Sequence, residues 1–233
     1  MALASWSRAV AVAALTLMPA AASAQSRTWD QCFTSSTNPD TRISACTSII
    51  MDRSTSTRDR ALAHAHRGAA YRDNGDLDRA AKEYDTAIDL LPNDPAGYLM
   101  RGHAERARHE YAQALADYEH AIRLDRNYTS AYVGRGNIRY DQGEYDTAIV
   151  DYTEAIRVDP KNFLAYYCRG NAYKVQERWD KAIADYSAAI RINPRYAVAY
   201  QGRGDAKKAT GDDSGSKADY ARARELNPNL GDE

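Results

Sequence analysis

Five glycines, Gly68, Gly102, Gly136, Gly170 and Gly204, stand 34 residues apart. A fixed interval of this length restricts a chain to architectures that stack one supersecondary unit on the next, because each unit hides its apolar side only against a copy of itself. Other rows hold the same register. Each glycine is preceded by an arginine, at Arg67, Arg101, Arg135, Arg169 and Arg203. Sixteen residues beyond each glycine comes a tyrosine, at Tyr84, Tyr118, Tyr152, Tyr186 and Tyr220, and three further on an alanine, at Ala87, Ala121, Ala155, Ala189 and Ala223. Proline closes four of the five units, at Pro92, Pro160, Pro194 and Pro228.

Each unit carries two helical patterns. In the third, Tyr132, Gly136 and Tyr140 recur at i, i+4 spacing, and Gly143 supplies a stop. Tyr145, Ala148, Ile149, Tyr152, Ala155 and Ile156 then form one apolar stripe. Asp159-Pro160 ends it, since the residue before a proline is pushed out of the α region. A glycine inside a helix costs about 1 kcal/mol relative to alanine. Five in register therefore predict close packing of the first helix on the second, against Ala80, Ala114, Ala148 and Ala182, with tyrosines filling the wider gaps.

Counted from Ala61, Pro95, Thr129, Phe163 and Ala197, these rows resemble the tetratricopeptide repeat family, with a small residue at position 8 of the repeat, an aromatic at 11, alanine at 20, an aromatic at 24, alanine at 27 and proline at 32. The resemblance covers Ala61 to Leu230. It implies an all-α fold: a right-handed α-solenoid of five helix-turn-helix units at 61–94, 95–128, 129–162, 163–196 and 197–230, with the first helices lining its concave wall. Glu105, Arg139 and Lys207 replace the aromatic at position 11, and Arg126 replaces the proline of the second unit, departures expected to weaken packing locally. Asp213, Ser216 and Arg224 make the fifth unit polar, as a C-terminal cap requires.

The segment 25–60 lies outside the register and reads as an N-terminal two-helix cap, Thr28–Ser35 and Pro39–Asp52. Asn38-Pro39 opens its second helix, and Ile43, Cys46, Ile49 and Ile50 form the apolar face. Before it, residues 1–24 read as a secretory signal: one charge, Arg8, an apolar run from Ala9 to Met18, and the small-x-small site Ala22-Ser23-Ala24. The run falls short of the roughly 20 residues needed to span a bilayer, so no membrane insertion is expected once the signal is cleaved. The expected location is periplasmic or secreted, where Cys32 and Cys46 would form a disulfide and Cys168 would remain as a small, partly buried thiol.

The chain holds 31 basic and 32 acidic residues, well mixed, and offers no basic footprint for nucleic acid. No phosphate-binding loop, nucleophile elbow or metal-ligand motif is present, so neither cofactor nor metal is expected and the chain reads as no enzyme. His64 sits in a slot that holds tyrosine in the other units and reads as a packing residue. The recurring arginine at position 7 and the acid at position 23 (Glu83, Asp117, Asp151, Asp185, Asp219) predict a ladder of ion pairs.

What remains is the concave face that the resemblance implies. Position 12 supplies Arg72, Arg106, Tyr140, Lys174 and Lys208; position 9 supplies His103, Asn137 and Asn171; position 5 supplies Leu99, Val133, Tyr167 and Gln201. A basic row beside an apolar strip suits a protein or peptide partner that carries carboxylates. The carboxylate clamp of chaperone-tail binders is not matched, because Val133 and Tyr167 stand where it needs lysine. Two other readings are self-assembly into a homo-oligomer and recognition of cell-wall glycan on the groove tyrosines.

Overall fold

The computed structural model describes residues 20–230, the first six by backbone alone, so most of the expected signal (1–19) lies outside the described residues. The described residues form twelve α-helices and no strand. They pair as hairpins: α1 (Ala20–Phe33) with α2 (Pro39–Met51), α3 (Thr57–Asp73) with α4 (Leu77–Leu90), α5 (Pro95–Ala107) with α6 (Tyr111–Leu124), α7 (Thr129–Asp141) with α8 (Tyr145–Val158), α9 (Phe163–Val175) with α10 (Trp179–Ile192), and α11 (Ala197–Ala209) with α12 (Asp213–Leu226). Each second helix packs on the first helix of its own hairpin and of the next, while first helices touch across neighbours. The result is a helical solenoid.

The N-terminal pair obeys the same rule, α1 against α2 and α3, and α2 against α3. It is a sixth hairpin outside the 34-residue register. Cys32 on α1 and Cys46 on α2, both fully buried, form a disulfide with Cα atoms 4.9 Å apart. Asn38 caps α2 through its side chain on the Asp40 amide, with Pro39 at the first helical position. The first helix begins at Ala20 rather than Thr28, in a stretch rich in the strongest helix former.

Within the repeats the glycine row meets the tyrosine row. Tyr84, Tyr118, Tyr152 and Tyr186 are at most 1 % exposed. A Cβ on Gly136 would lie 2.7 Å from Cε1 of Tyr152, and one on Gly102 would lie 2.8 Å from Cε1 of Tyr118. The next hairpin presses on the same rings from the other side, where a Cβ on Gly134 would lie 2.7 Å from Tyr118 and one on Gly202 2.8 Å from Tyr186. The glycines stay because the ring occupies the space a side chain would need.

The ion-pair ladder forms inside each of the five repeat hairpins. Arg101 pairs with Asp117 through two bonds (Nε 2.8 Å, Nη2 2.7 Å), as does Arg169 with Asp185 (2.8 and 2.9 Å) and Arg203 with Asp219 (2.8 and 2.6 Å). Arg135 Nη2 meets Asp151 at 2.7 Å and Arg67 meets Glu83 at 2.8 Å. The third nitrogen reaches the preceding hairpin, from Arg101 to Asp85 (2.7 Å), Arg169 to Thr153 (3.0 Å) and Arg203 to Ser187 (3.1 Å). Arg67 reaches Thr47 on α2 in the same way (2.9 Å), so the N-terminal hairpin stands in for a preceding repeat. Four of the five guanidinium groups thus bond two helices of one unit to the unit before it, and Arg135 approaches Glu119 there at 3.9 Å.

Two expectations are corrected here. Arg139 and Lys207, at position 11, do more than remove an aromatic, since they bond the buried carboxylates of Asp151 (2.8 Å) and Asp219 (2.9 Å). His64 is not a simple packing residue, since its Nδ1 lies 2.8 Å from Glu83 and joins the ladder.

Candidate docking groove

The twelve expected groove residues all lie on first helices, and the structure sorts them into three groups. Position 5 turns largely inward. Leu99 is 6 % exposed within the core around Tyr118, Val133 packs against the clusters of Tyr132 and Tyr152, and Tyr167 stacks edge-on against Tyr196 at 5.1 Å. Of the expected apolar strip Leu99 is core, while Val133 and Tyr167 are half-buried and packed against it. Gln201 is half-buried on α11, away from the central cavity.

Position 9 holds the core tyrosines by their hydroxyls. Tyr152 donates to Asn137 Oδ1 at 2.8 Å and Tyr186 to Asn171 Oδ1 at 2.7 Å. Tyr118 shares a 2.7 Å bond with His103 Nδ1, and Tyr220 donates to Asp205 at 2.9 Å. Burial, reinforced by the charges of Arg72 and Arg106, pushes His103 down to about 4, so it is neutral at pH 7. Unit one has Ala69 at this place, and the buried Tyr84 hydroxyl has no partner. A spacing of fifteen residues links the two rows, a signal readable in the sequence that sequence reasoning passed over.

Position 12 is largely neutralised. Arg106 pairs with Asp141 on α7 at 2.6 Å, Lys174 with Asp205 on α11 at 2.9 Å, and Arg72 with Asp73 at 3.1 Å. Among the described residues Lys208 is the one cation of this row without an acid within ion-pair distance, and it is exposed. Of the basic row expected from sequence, Arg106 and Lys174 are thus held by acids of the next hairpin and Arg72 by its own neighbour.

Some of these residues share a cavity. Arg106, Asn137, Tyr140, Asp141, Tyr152, Cys168 and Asn171 line a cavity of about 200 Å³ where α5, α7 and α9 meet. Four of the expected groove residues are brought together there. Asp141 and Cys168 join them unforeseen. Burial pushes the Cys168 thiol up to about 11, outweighing Arg106, which keeps it protonated and poorly nucleophilic near neutrality. A carboxamide offers one acceptor oxygen and two N–H donors. With Oδ1 of Asn137 and of Asn171 engaged by tyrosines, each presents its amino group elsewhere. The two sit one hairpin apart on directly packed helices, whose axes lie about 8–10 Å apart. Three residues of an extended chain, at roughly 3.3 Å each, span that interval.

Among the described residues no helix is long and apolar enough to cross a membrane, and no three His, Cys, Asp or Glu side chains group as metal ligands would.

Comparison with known proteins places matches along the repeats. Models described as TPR repeat and tetratricopeptide repeat match residues 68–104 and 136–176, 99–152, and 163–196. Among solved structures, MamA is 27% identical, with a TM-score of 0.60 over 69% of this chain and 94% of that one. YrrB, described as a TPR protein with an unusual peptide-binding site, is 18% identical, with a TM-score of 0.55 over 81% of this chain and 95% of its own. PilF of Pseudomonas aeruginosa is 16% identical, with a TM-score of 0.69 over 76% of this chain and 80% of its own. At the last two identities the likeness concerns the fold. No curated protein matches the sequence.

Proposed function

Since the chain belongs to the tetratricopeptide repeat family, we propose that it is a non-enzymatic scaffold that docks a protein partner through an extended peptide segment at the centre of its concave face. The observation that carries this reading is the pair of asparagines in the central cavity. Each is held by a core tyrosine, and each keeps its N–H donors for main-chain carbonyls three residues apart in a guest. YrrB, described as having a peptide-binding site, gives a precedent for such use of the fold. Because Arg106 and Lys174 already hold aspartates, a guest's carboxylates would compete with internal acids, and Lys208 is the cation best placed to receive one. We place the protein in the periplasm or outside the cell, from the buried Cys32–Cys46 bridge and the apolar N-terminal pattern.

Asn137→Asp with Asn171→Asp tests the groove. Aspartate keeps an acceptor for the tyrosine, as Asp205 does for Tyr220, and removes both donors. A displayed peptide library should yield binders for the wild type that this double variant loses at least tenfold in affinity, which corresponds to about 1.4 kcal/mol. Equal binding by both proteins would remove the asparagines, and the site with them.

A further inference from the structure

Position 11 of the first helix faces the buried acid of the ladder, and three units depart there from the family's aromatic. Two supply a cation, Arg139 to Asp151 and Lys207 to Asp219. The second unit supplies an acid. Glu105 on α5 stands beside Asp117 of α6, itself 5 % exposed, and the two carboxylates share one guanidinium. Arg101 gives Asp117 two short bonds, whereas its Nε is 4.0 Å from Glu105 Oε1, beyond hydrogen-bonding range. Glu105 Oε2 is buried without a partner. An ionised carboxylate left in this state costs more than a neutral one, which needs less solvation and can itself donate.

We propose that Glu105 is a proton-operated clasp on the second hairpin: its neutral carboxyl lets α5 and α6 close over Asp117, and its ionisation sets two carboxylates against one guanidinium and loosens the pair. The other charges around it reinforce this. Glu110 at the α5–α6 turn, itself paired with Arg108 at 2.9 Å, and Asp85 on α4 are further acids, and Arg101 is the cation that opposes their effect on Glu105. Burial, then the charge of Asp117, pushes the Glu105 carboxyl up from 4.5 to about 7. An acid whose folded-state value is raised stabilises the fold fully below its ordinary value and loses that contribution as pH rises towards the folded value. The sensitive window is therefore about pH 4.5 to 7. The device goes beyond peptide docking and does not depend on it, although Arg106, the next residue, forms a wall of the docking cavity.

Urea unfolding of the full chain at pH 5 and pH 8 tests the clasp with Glu105→Gln and Glu105→Lys, read alongside amide exchange in α5 and α6. Glutamine is isosteric and cannot ionise. Between pH 5 and 8 the unfolding constant of the wild type should rise about ten- to a hundredfold relative to that of the glutamine variant. Exchange should accelerate in α5 and α6 of the wild type alone. Glu105→Lys, which recreates the Lys207–Asp219 arrangement, should unfold less readily than the wild type at pH 8. Parallel pH profiles for the wild type and Glu105→Gln would overturn the proposal, as would a carboxyl carbon resonance of Glu105 that titrates near 4.5.

Discussion

Tyr152 on α8 donates its hydroxyl to Asn137 on α7 across 2.8 Å, and the bond recurs one hairpin later between Tyr186 and Asn171. The asparagine that lines the cavity is thereby the one that satisfies the core tyrosine. Asn137→Ala should orphan a buried hydroxyl and cost about 1–3 kcal/mol. The reciprocal change, Ala69→Asn, should give Tyr84 the acceptor it lacks and stabilise by about 0.5–1.5 kcal/mol. Urea unfolding of both variants checks the signs, and a stabilised Asn137→Ala would refute this role for the pair.

Gly136→Ala should destabilise, although alanine is the better helix former by about 1 kcal/mol. Its methyl would sit 2.7 Å from the ring of Tyr152, which is only 1 % exposed and has no room to turn aside. Overpacking of this kind costs about 1–3 kcal/mol. Adding Tyr152→Phe should bring no relief, because the clash is with ring carbons rather than the hydroxyl. Thermal melts of the single and double variants distinguish the two sources.

Asp151 is 1 % exposed and accepts from both Arg135 and Arg139. Asp151→Asn leaves two guanidinium groups facing a neutral amide, and breaking a buried pair from one side costs about 3–5 kcal/mol. Arg139→Met should cost far less, since Arg135 still holds the carboxylate. If the two variants unfold at the same denaturant concentration, the carboxylate is not the centre of this unit.

Asp219 and Glu83 titrate below their ordinary values, because hydrogen bonds and charge from Arg203 and Lys207, and from His64 and Arg67, outweigh the opposing effect of burial. A depressed folded-state value means stability present above the unfolded value and lost as pH falls through the folded one. Acid should therefore unfold the chain below about pH 4. Asp219→Asn should be less stable than the wild type at pH 6 and approach it at pH 3, as followed by circular dichroism.

Reducing the Cys32–Cys46 bridge should remove roughly 3 kcal/mol, the chain-entropy value for a loop of this size. In a solenoid each hairpin contacts only its neighbours. The loss should therefore appear as faster amide exchange in α1 and α2, with α7 to α12 unchanged. Uniform acceleration along the whole chain would show that the N-terminal hairpin governs the stability of the entire stack.

What was legible in the sequence was whatever repeats at a fixed distance inside one hairpin. The arginine–acid ladder spans sixteen residues and formed as its spacing predicts, whereas the glycines, expected against the alanine row, meet the tyrosine rings sixteen residues on. Helix periodicity sets which side chains of α7 face α8, and that geometry is the same in every copy. The fifteen-residue bond from Tyr152 to Asn137 belongs to the same class and was equally readable.

The amino-acid sequence by itself determined the helices, their pairing and their stacking, because those depend on local periodicity and on apolar stripes that only a neighbouring copy can cover. Only the tertiary structure decided that α1 and α2 act as a preceding repeat, that Leu99 is core, and that Arg106 and Lys174 are held by Asp141 and Asp205. Contacts between hairpins are set by the rotation and closeness of one unit on the next. That rotation arises from the packing of whole side-chain volumes, for which no single row of residues is a signature.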